Sequence, residues 1–175
     1  MTPEGGAAHA CDLIPPPPGR ADPRHTGRVT SDEQAGAERV AAAMEEHDAA
    51  IRGAGIRLVD VGPGRARTAL TVEERHVNGH GIAHGGYLFF LADAAFSFAC
   101  NSHGTSTVAA GADIAFLRSA RLGDELEAEA VERVLAGRSG LYDVTVRTAD
   151  GETVAEFRGR SRAVPGLPAP GDPPR

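Results

Sequence analysis

The pattern of apolar and polar residues predicts a helix followed by a hairpin in the first part of the chain. Val40, Met44 and Ile51 fall on one face of a helix spanning residues 37–51, among Ala, Glu and Arg. We expect glycines after Ile51 to end this helix. Residues 56–61 and 65–72 then have strand character, with a strong turn signal in the Gly-Pro-Gly between them.

The most apolar stretch of the chain is residues 87–100. It carries apolar groups on every face, which is typical of a helix buried on all sides. The glycine-rich residues 76–86 before this helix are predicted to form a loop. Gly104, after the helix, is a candidate for the helix C-cap.

The remainder of the chain is predicted to be rich in strands. Strand-like segments cover residues 107–117, 125–135, 140–148 and 152–164. Ala149-Asp150-Gly151 is a hairpin signal between the last two. This order of elements predicts an α+β fold in which one antiparallel sheet packs on a central helix.

The prolines indicate where the folded domain begins and ends. Of the 12 prolines, six lie between Pro3 and Pro23 and five between Pro165 and Pro174. Because proline cannot donate to a helix or strand ladder, we expect one domain at 36–164 and disordered Pro-rich tails at 1–35 and 165–175. A polyproline ligand within 15–18 is the alternative for the first tail.

Charge and composition exclude several classes of function. A net charge of −6 argues against nucleic-acid binding, and no apolar run is long enough to span a membrane. All 18 basic residues are Arg, which excludes a lysine Schiff base or a P-loop. The two cysteines are poor disulfide partners, and with no secretory signal in the N-terminal sequence we expect a cytoplasmic protein.

One carboxylate interrupts the apolar segment. Asp93 lies near its middle, and no Arg occurs over residues 76–117 to pair with it. An ionised carboxylate there is costly unless it is hydrogen-bonded, paired or open to a cleft. Two interpretations stay open: a core Asp satisfied by backbone amides or a neighbouring subunit, and a catalytic acid.

The residues that begin the helix suit an oxyanion site. His84, Gly85 and Gly86 stand where unpaired first-turn N–H groups meet the positive end of the helix. Such groups can hold a developing oxyanion. At 1.5 Å rise per residue, Asp93 is about 12 Å further along the helix from Gly85. If both are catalytic, a second subunit must supply the Asp, which predicts a dimer.

Four histidines lie around the same segment. His76, His80 and His84 have the spacing of a helical metal site, but the intervening glycines argue against a helix. We expect no metal, a neutral His84 as a hydrogen-bonding group, and His76, His80 and His103 as surface or loop residues.

Two further polar residues have both a functional and a structural interpretation. The Asn78 amide could bind a substrate carbonyl or orient water, or Asn78 could be a turn residue. Ser97, four residues after Asp93, could orient the acid or bond to a helix carbonyl.

The run from Asn78 to Phe96 resembles the signature of hotdog-fold acyl-CoA thioesterases, most closely the PaaI group of phenylacetic acid degradation thioesterases. The likeness covers about residues 40–163 and includes segments 99–104, 116–118, 141–144 and 157–159. The residues that carry it are Asn78-x-x-Gly81-x-x-His84-Gly85-Gly86-x-x-Phe89-x-Leu91-Ala92-Asp93-x-x-Phe96.

The resemblance implies a curved antiparallel sheet around the long helix, active sites at a dimer interface, and a homotetramer of two dimers. Gly85 corresponds to the glycine whose N–H polarises the thioester carbonyl, and Asp93 to the acid that acts as general base or nucleophile. Asn78 matches the amide near the carbonyl and attacking water, His84 a supporting histidine, and Ser97 a hydroxyl that assists the acid.

The implied reaction is hydrolysis of an acyl-CoA to a carboxylic acid and coenzyme A, without a cofactor. A (hydroxy)phenylacetyl-type substrate from phenylacetate catabolism is expected. The alternatives are other medium-chain or aromatic acyl-CoAs, a hydratase or dehydratase, and a non-catalytic acyl-CoA-binding protein. Candidate groups for the coenzyme A phosphates are Arg118, Arg138, Arg158 and Arg160.

Overall fold

In the computed structural model, which describes residues 29–168, a six-stranded antiparallel sheet packs around one long helix. The strand order is β1-β2-β4-β5-β6-β3, so that β1 and β3 are the two edges. The predicted α+β class and the antiparallel sheet on a central helix are confirmed. The elements are α1 (Ser31–His47), α2 (Ala49–Ala54), β1 (Arg57–Gly62), β2 (Arg65–Thr71), a 3₁₀ helix (Glu74–His76), α3 (Gly85–Asn101), β3 (Thr107–Phe116), β4 (Glu125–Ala136), β5 (Ser139–Thr148) and β6 (Thr153–Ala163).

The first helix begins earlier than predicted, at Ser31, so that residues 31–35, assigned above to the tail, belong to α1. The reason is a capping box. The Thr30 hydroxyl accepts the Glu33 N–H at 3.3 Å, and the Glu33 carboxylate accepts the Thr30 N–H at 2.9 Å. The expectations for residues 1–28 and 169–175, including the polyproline ligand, lie outside the described residues.

The predicted first helix is also divided in two. Asp48 stands between α1 and α2, and its carboxylate accepts the N–H groups of Ala50 and Ile51 at 3.0 and 2.9 Å. An Asp side chain that bonds the backbone this way starts a new helix instead of continuing the old one. Gly55 then ends α2 with a φ of 75°.

The central helix α3 contacts all six strands. Its buried residues include Leu91, Phe96 and Phe98, which confirms the prediction of a core helix. Strand β6 approaches closely because residue 159 is glycine: a Cβ there would lie 2.8 Å from the Phe96 ring. In residues 29–168, no helix is long and apolar enough to cross a membrane.

The end of α3 is tied to the start of the edge strand β3. The Asn101 amide donates to the Thr107 carbonyl at 3.0 Å and accepts the Thr107 N–H at 2.9 Å. These paired bonds hold β3 in a defined position relative to α3, and that position matters for the site described below.

A buried polar cluster lies near the same end of α3. Glu132, whose side chain is 8% exposed, accepts the Tyr142 hydroxyl at 2.8 Å and lies 2.8 Å from Nε2 of His103. The hydrogen bond to Glu132 raises the pKa of His103 above the ordinary imidazole value of 6.5, against the opposing effect of burial.

We expect this pair to make stability depend on pH. The pKa of His103 is raised in the folded state. The pair of protonated His103 with Glu132 therefore contributes fully to the free energy of unfolding below about pH 6.5, and this contribution is lost as the pH rises through the raised pKa. Wild type should lose about 2–4 °C of melting temperature across this range, while His103→Gln stays flatter. Thermal melts at several pH values measure the effect, with His80→Gln as the control. Superimposable profiles for wild type and His103→Gln would contradict the assignment.

Candidate active site

The N-terminus of α3 presents one unused backbone donor. The Gly86 N–H donates to Nδ1 of His84 at 2.9 Å, and the Tyr87 N–H donates to the His84 carbonyl at 2.9 Å. Within residues 29–168 the Gly85 N–H has no hydrogen-bond partner. Of the two glycines that we expected to hold an oxyanion, Gly85 therefore offers its donor, while the Gly86 donor is already used.

His84 is the N-cap of α3. Because its Nδ1 accepts a hydrogen bond from Gly86, that ring nitrogen carries no proton. The side chain is exposed, and the backbone of His84 is held by its N–H, which donates to the His76 carbonyl at 2.8 Å. His84 thus orders the first turn that presents the Gly85 N–H.

A cavity of about 340 Å³ opens at this first turn. It brings together three residues predicted from the sequence to belong to the site, Asn78, Gly85 and Arg118. Its walls are otherwise mostly apolar, which suits an acyl group beside a hydrogen-bond donor. The other lining residues are Ile82, Ala83, Leu88, Phe116, Leu117 and Ser119.

Asn78 is both a turn residue and a polar group of the cavity. Its Oδ1 accepts the His80 N–H at 2.9 Å, as in the turn interpretation. With the oxygen engaged in this way, the amide Nδ2 has no partner among the described residues and remains a donor in the cavity lining.

The Asp93 carboxylate has no hydrogen bond or ion pair within residues 29–168. It is half-buried, and burial raises its pKa above the ordinary value of 3.8. It does not line the cavity at Gly85, and eight residues of helix separate the two, about 12 Å. The structure thus shows an unpaired, partly desolvated carboxylate that the site in its own chain does not use.

A stripe on α3 remains accessible around this carboxylate. After Leu88, the residues of α3 that are not buried are Phe89, Phe90, Asp93 and Ser97. They lie on one side of the helix, which the sheet of the same chain covers only in part: the Phe89 ring packs on Phe157 of β6 with centroids 5.3 Å apart, while Asp93 and Ser97 remain half-buried. No hydrogen bond joins the Ser97 hydroxyl to Asp93 in the described part of the chain, so the predicted assistance from Ser97 is not seen in the single chain.

The four candidate arginines are dispersed. Arg118 lines the cavity, with its guanidinium 3.0 Å from Glu152. Arg158 and Arg160 alternate in β6 with Phe157 and Gly159, which face α3, and so point to the opposite side of the sheet. There they pair with Asp143 at 2.7 Å and with Asp113 at 2.6 Å.

Arg138 lies in the turn between β4 and β5, whereas Arg118 precedes the start of β4. A twelve-residue strand separates the two, about 40 Å of extended chain. Within one chain, only Arg118 of the four is near Gly85.

The prediction for one histidine was wrong. His76, expected at the surface or in a loop, is completely buried. Its Nδ1 accepts the Glu73 N–H at 2.9 Å, its Nε2 lies 3.0 Å from the Ala54 carbonyl, and its ring packs on Tyr87 with centroids 4.6 Å apart. These backbone partners satisfy both ring nitrogens, so burial is possible. Across residues 29–168 no group of three His, Cys, Asp or Glu could hold a metal ion.

Phe116 is a site residue that sequence reasoning did not single out. It ends β3, and a Cβ built on Gly85 would lie 3.0 Å from its Cζ. A terminal aromatic in an apolar strand is indistinguishable in sequence from a core residue, although this side chain is 52% exposed.

Comparison with known proteins agrees with this arrangement. The family model described as the thioesterase superfamily matches residues 80–155. The acyl-coenzyme A thioesterase PaaI of Escherichia coli K12 is 42% identical over 124 residues, which are 71% of this chain and 89% of that protein. The chain belongs to the thioesterase superfamily.

Solved structures place this thioesterase among hotdog-fold enzymes. The structure of the E. coli PaaI protein from the phenylacetic acid degradation operon superposes with a TM-score of 0.75 at 41% identity, covering 76% of this chain and 96% of that one. The Streptococcus mutans smu.793 protein bound to acetyl CoA gives 0.60 at 27% identity, covering 62% and 88%. The predicted hotdog fold and thioester hydrolase activity are confirmed.

Proposed function

We propose that this thioesterase hydrolyses acyl-CoA thioesters whose acyl group is of the phenylacetyl or hydroxyphenylacetyl type, in phenylacetate catabolism. The observation that carries the proposal is the unused Gly85 N–H in a mostly apolar cavity at a helix N-terminus. The similarity to the E. coli protein from a phenylacetic acid degradation operon supports the acyl class.

In the proposed reaction, the thioester carbonyl oxygen accepts a hydrogen bond from the Gly85 N–H. The partner subunit's Asp93 removes a proton from water, whose oxygen adds to the carbonyl carbon. The resulting oxyanion is stabilised by the Gly85 donor and the positive end of α3. The carbon–sulfur bond then breaks, and the coenzyme A thiolate takes up the proton held by the carboxyl group. Burial raises the pKa of Asp93, which makes it a better base for this step.

The other predicted site residues act around these two. The Asn78 amide is proposed to bond the carbonyl or the attacking water, and His84 to hold the first turn of α3 in place. Ser97 is proposed to orient Asp93 once the partner subunit closes over the open stripe of α3.

A second copy of the chain is proposed to pair along β3. This edge strand has ten residues, most of them exposed, with no Pro or Lys to prevent pairing. Its one charged residue, Asp113, is already paired with Arg160. Pairing of two such edges would produce a continuous sheet and bring the open stripe of one α3 near the other subunit. Two such dimers forming a tetramer, and a cytoplasmic location, are further proposals.

Arg118 is proposed to bind a phosphate of coenzyme A, since it is the candidate arginine beside the cavity. The acetyl CoA bound to the related S. mutans protein supports this ligand class. Its present partner, Glu152, is exposed like Arg118 itself, so the ion pair is weak enough to be exchanged for a phosphate.

A thiol-release assay over a panel of acyl-CoAs tests the proposed function. We expect release of coenzyme A from phenylacetyl-CoA and hydroxyphenylacetyl-CoA at least about tenfold faster, in kcat/KM, than from acetyl-CoA. An equal or greater rate with straight-chain substrates would favour the medium-chain alternative. Release from none of them, with binding retained, would indicate a non-catalytic acyl-CoA-binding protein.

A further inference from the structure

The ring of Phe116 lies directly against the backbone that carries the proposed oxyanion donor. A Cβ on residue 85 would meet Cζ of Phe116 at 3.0 Å and its two Cε atoms at 3.4 Å. Gly85 does not have the positive φ that would by itself demand glycine. A side chain at residue 85 would therefore have to displace the ring tip by a few tenths of an ångström, and glycine is the residue that leaves the ring in place.

Phe116 is the most exposed phenylalanine in residues 29–168. The residue is 52% exposed, compared with 36% for Phe89 and no more than 2% for Phe96, Phe98 and Phe157. The tip of the ring lies against Gly85, and both residues line the same cavity. An apolar side chain held open to a cavity in this way is available to a ligand.

Backbone hydrogen bonds hold the segment that follows Phe116 in place. The N–H groups of Leu117 and Arg118 both donate to the Val154 carbonyl, at 2.8 and 3.1 Å. The Ala83 N–H donates to the Ala120 carbonyl at 2.8 Å, which joins the segment after β3 to the loop before α3. The ring and the Gly85 donor are thus parts of one connected frame.

We propose that Phe116 is a specificity-determining residue, whose ring forms the wall against which a flat aryl group of the substrate packs beside the reacting carbonyl. This proposal rests on the proposed function. A thioester whose oxygen bonds the Gly85 N–H has its carbonyl beside this ring, and in the proposed orientation the acyl group, not the pantetheine arm, packs against it. An arylacetyl group carries its own ring one methylene from the carbonyl, within the range of an edge-to-face or offset aromatic pair. A straight alkyl chain gains only apolar contact there.

Steady-state kinetics with Phe116→Ala and Phe116→Leu test the proposal. We expect Phe116→Ala to lower kcat/KM for phenylacetyl-CoA by about tenfold or more, and for octanoyl-CoA by less than about threefold. Phe116→Leu keeps an apolar side chain without a ring, so it should also reduce the preference for phenylacetyl-CoA. If the alanine variant does not fold, as judged by its melting temperature, the leucine variant alone decides the question.

The control is Leu122→Ala, which removes an apolar side chain that is 57% exposed and outside the cavity. This variant should leave kcat/KM for both substrates, and the ratio of the two values, unchanged. A ratio of phenylacetyl-CoA to octanoyl-CoA activity that stays the same in both Phe116 variants would overturn the proposal, whether the two rates fall together or not at all. Failure of the proposed function looks different, because wild type itself would then release no coenzyme A, or would release it from octanoyl-CoA at least as fast as from phenylacetyl-CoA.

Discussion

Asp93→Asn is expected to lower kcat for phenylacetyl-CoA by at least about a hundredfold, because the amide cannot remove a proton from water. The substitution preserves the size and shape of the side chain, and the carboxylate has no partner within residues 29–168 that the change would disrupt. KM should change little, since the proposed role of Asp93 is in the chemical step.

The same variant should be more stable than wild type at neutral pH. Burial raises the pKa of Asp93, which means that the folded state disfavours its charged form. The resulting loss of stability begins as the pH rises above the unfolded value of about 3.9 and is complete above the folded value. Asn carries no charge, so its advantage in melting temperature should be present at pH 7 and shrink toward acid pH.

Asp113→Asn is the matched control for this experiment. Asp113 is the only other acidic residue in the segment 76–117, and it lies in an exposed ion pair with Arg160. Its replacement should leave kcat near the wild-type value. Near-normal turnover by Asp93→Asn would eliminate the proposed mechanism, and a loss of activity accompanied by a lower melting temperature would assign Asp93 a structural role.

Two inactive variants are expected to restore activity to one another when their subunits are mixed. Gly85→Pro removes the proposed oxyanion donor, and proline suits the first position of a helix. Its Cβ would lie 3.0 Å from Cζ of Phe116, so the exposed ring tip has to move by a few tenths of an ångström, and a melting temperature close to wild type checks that the variant folds. The preceding His84 has φ −67° and ψ 132°, a conformation that suits a residue before proline. Asp93→Asn removes the base. Each homodimer should have less than about one hundredth of wild-type activity.

Co-expression of the two variants in equal amounts should yield about a quarter of wild-type activity. Half of the dimers are then mixed, and in each of these one of two sites combines an intact Gly85 with an intact Asp93 from the other subunit. Co-expression of Asp93→Asn with an Asp93→Asn/Gly85→Pro double variant is the control and should stay inactive. Absence of recovery from the first pair, with both variants inactive alone, would mean that Gly85 and Asp93 of the same chain act together.

The prediction of the fold depended on strong local signals. Residues 87–100 have apolar side chains on every face, and such a helix is stable only inside a core. Because strands were predicted before and after it in the sequence, a sheet packed around the helix was the expected arrangement. The start of α1 was missed because the Thr30–Glu33 capping box lies before any apolar periodicity. The split at Asp48 was missed because a side chain that bonds to the backbone overrides a helical pattern that continues past it.

The prediction of the site depended on an anomaly, the lone carboxylate in the apolar helix. Asp93 and the glycines before it could be singled out because charge inside a core has a high free-energy cost, whatever the surrounding fold. The arginines had no such signal. The side of the sheet on which Arg158 and Arg160 lie depends on the register of β6. That register is set by the pairing of β6 with β5 and with β3, which is distant in sequence.

By itself, the sequence determined the class of fold, the central helix, the unpaired acid and the distance along the helix that separates it from Gly85. These follow from local periodicity, helix geometry and the cost of burying a charge. Only the tertiary structure decided that His76 is buried, that Arg118 alone of the four candidate arginines lies near Gly85, and that Phe116 rests on Gly85. Each of these is a contact between segments distant in the chain, and such contacts depend on how the elements pack.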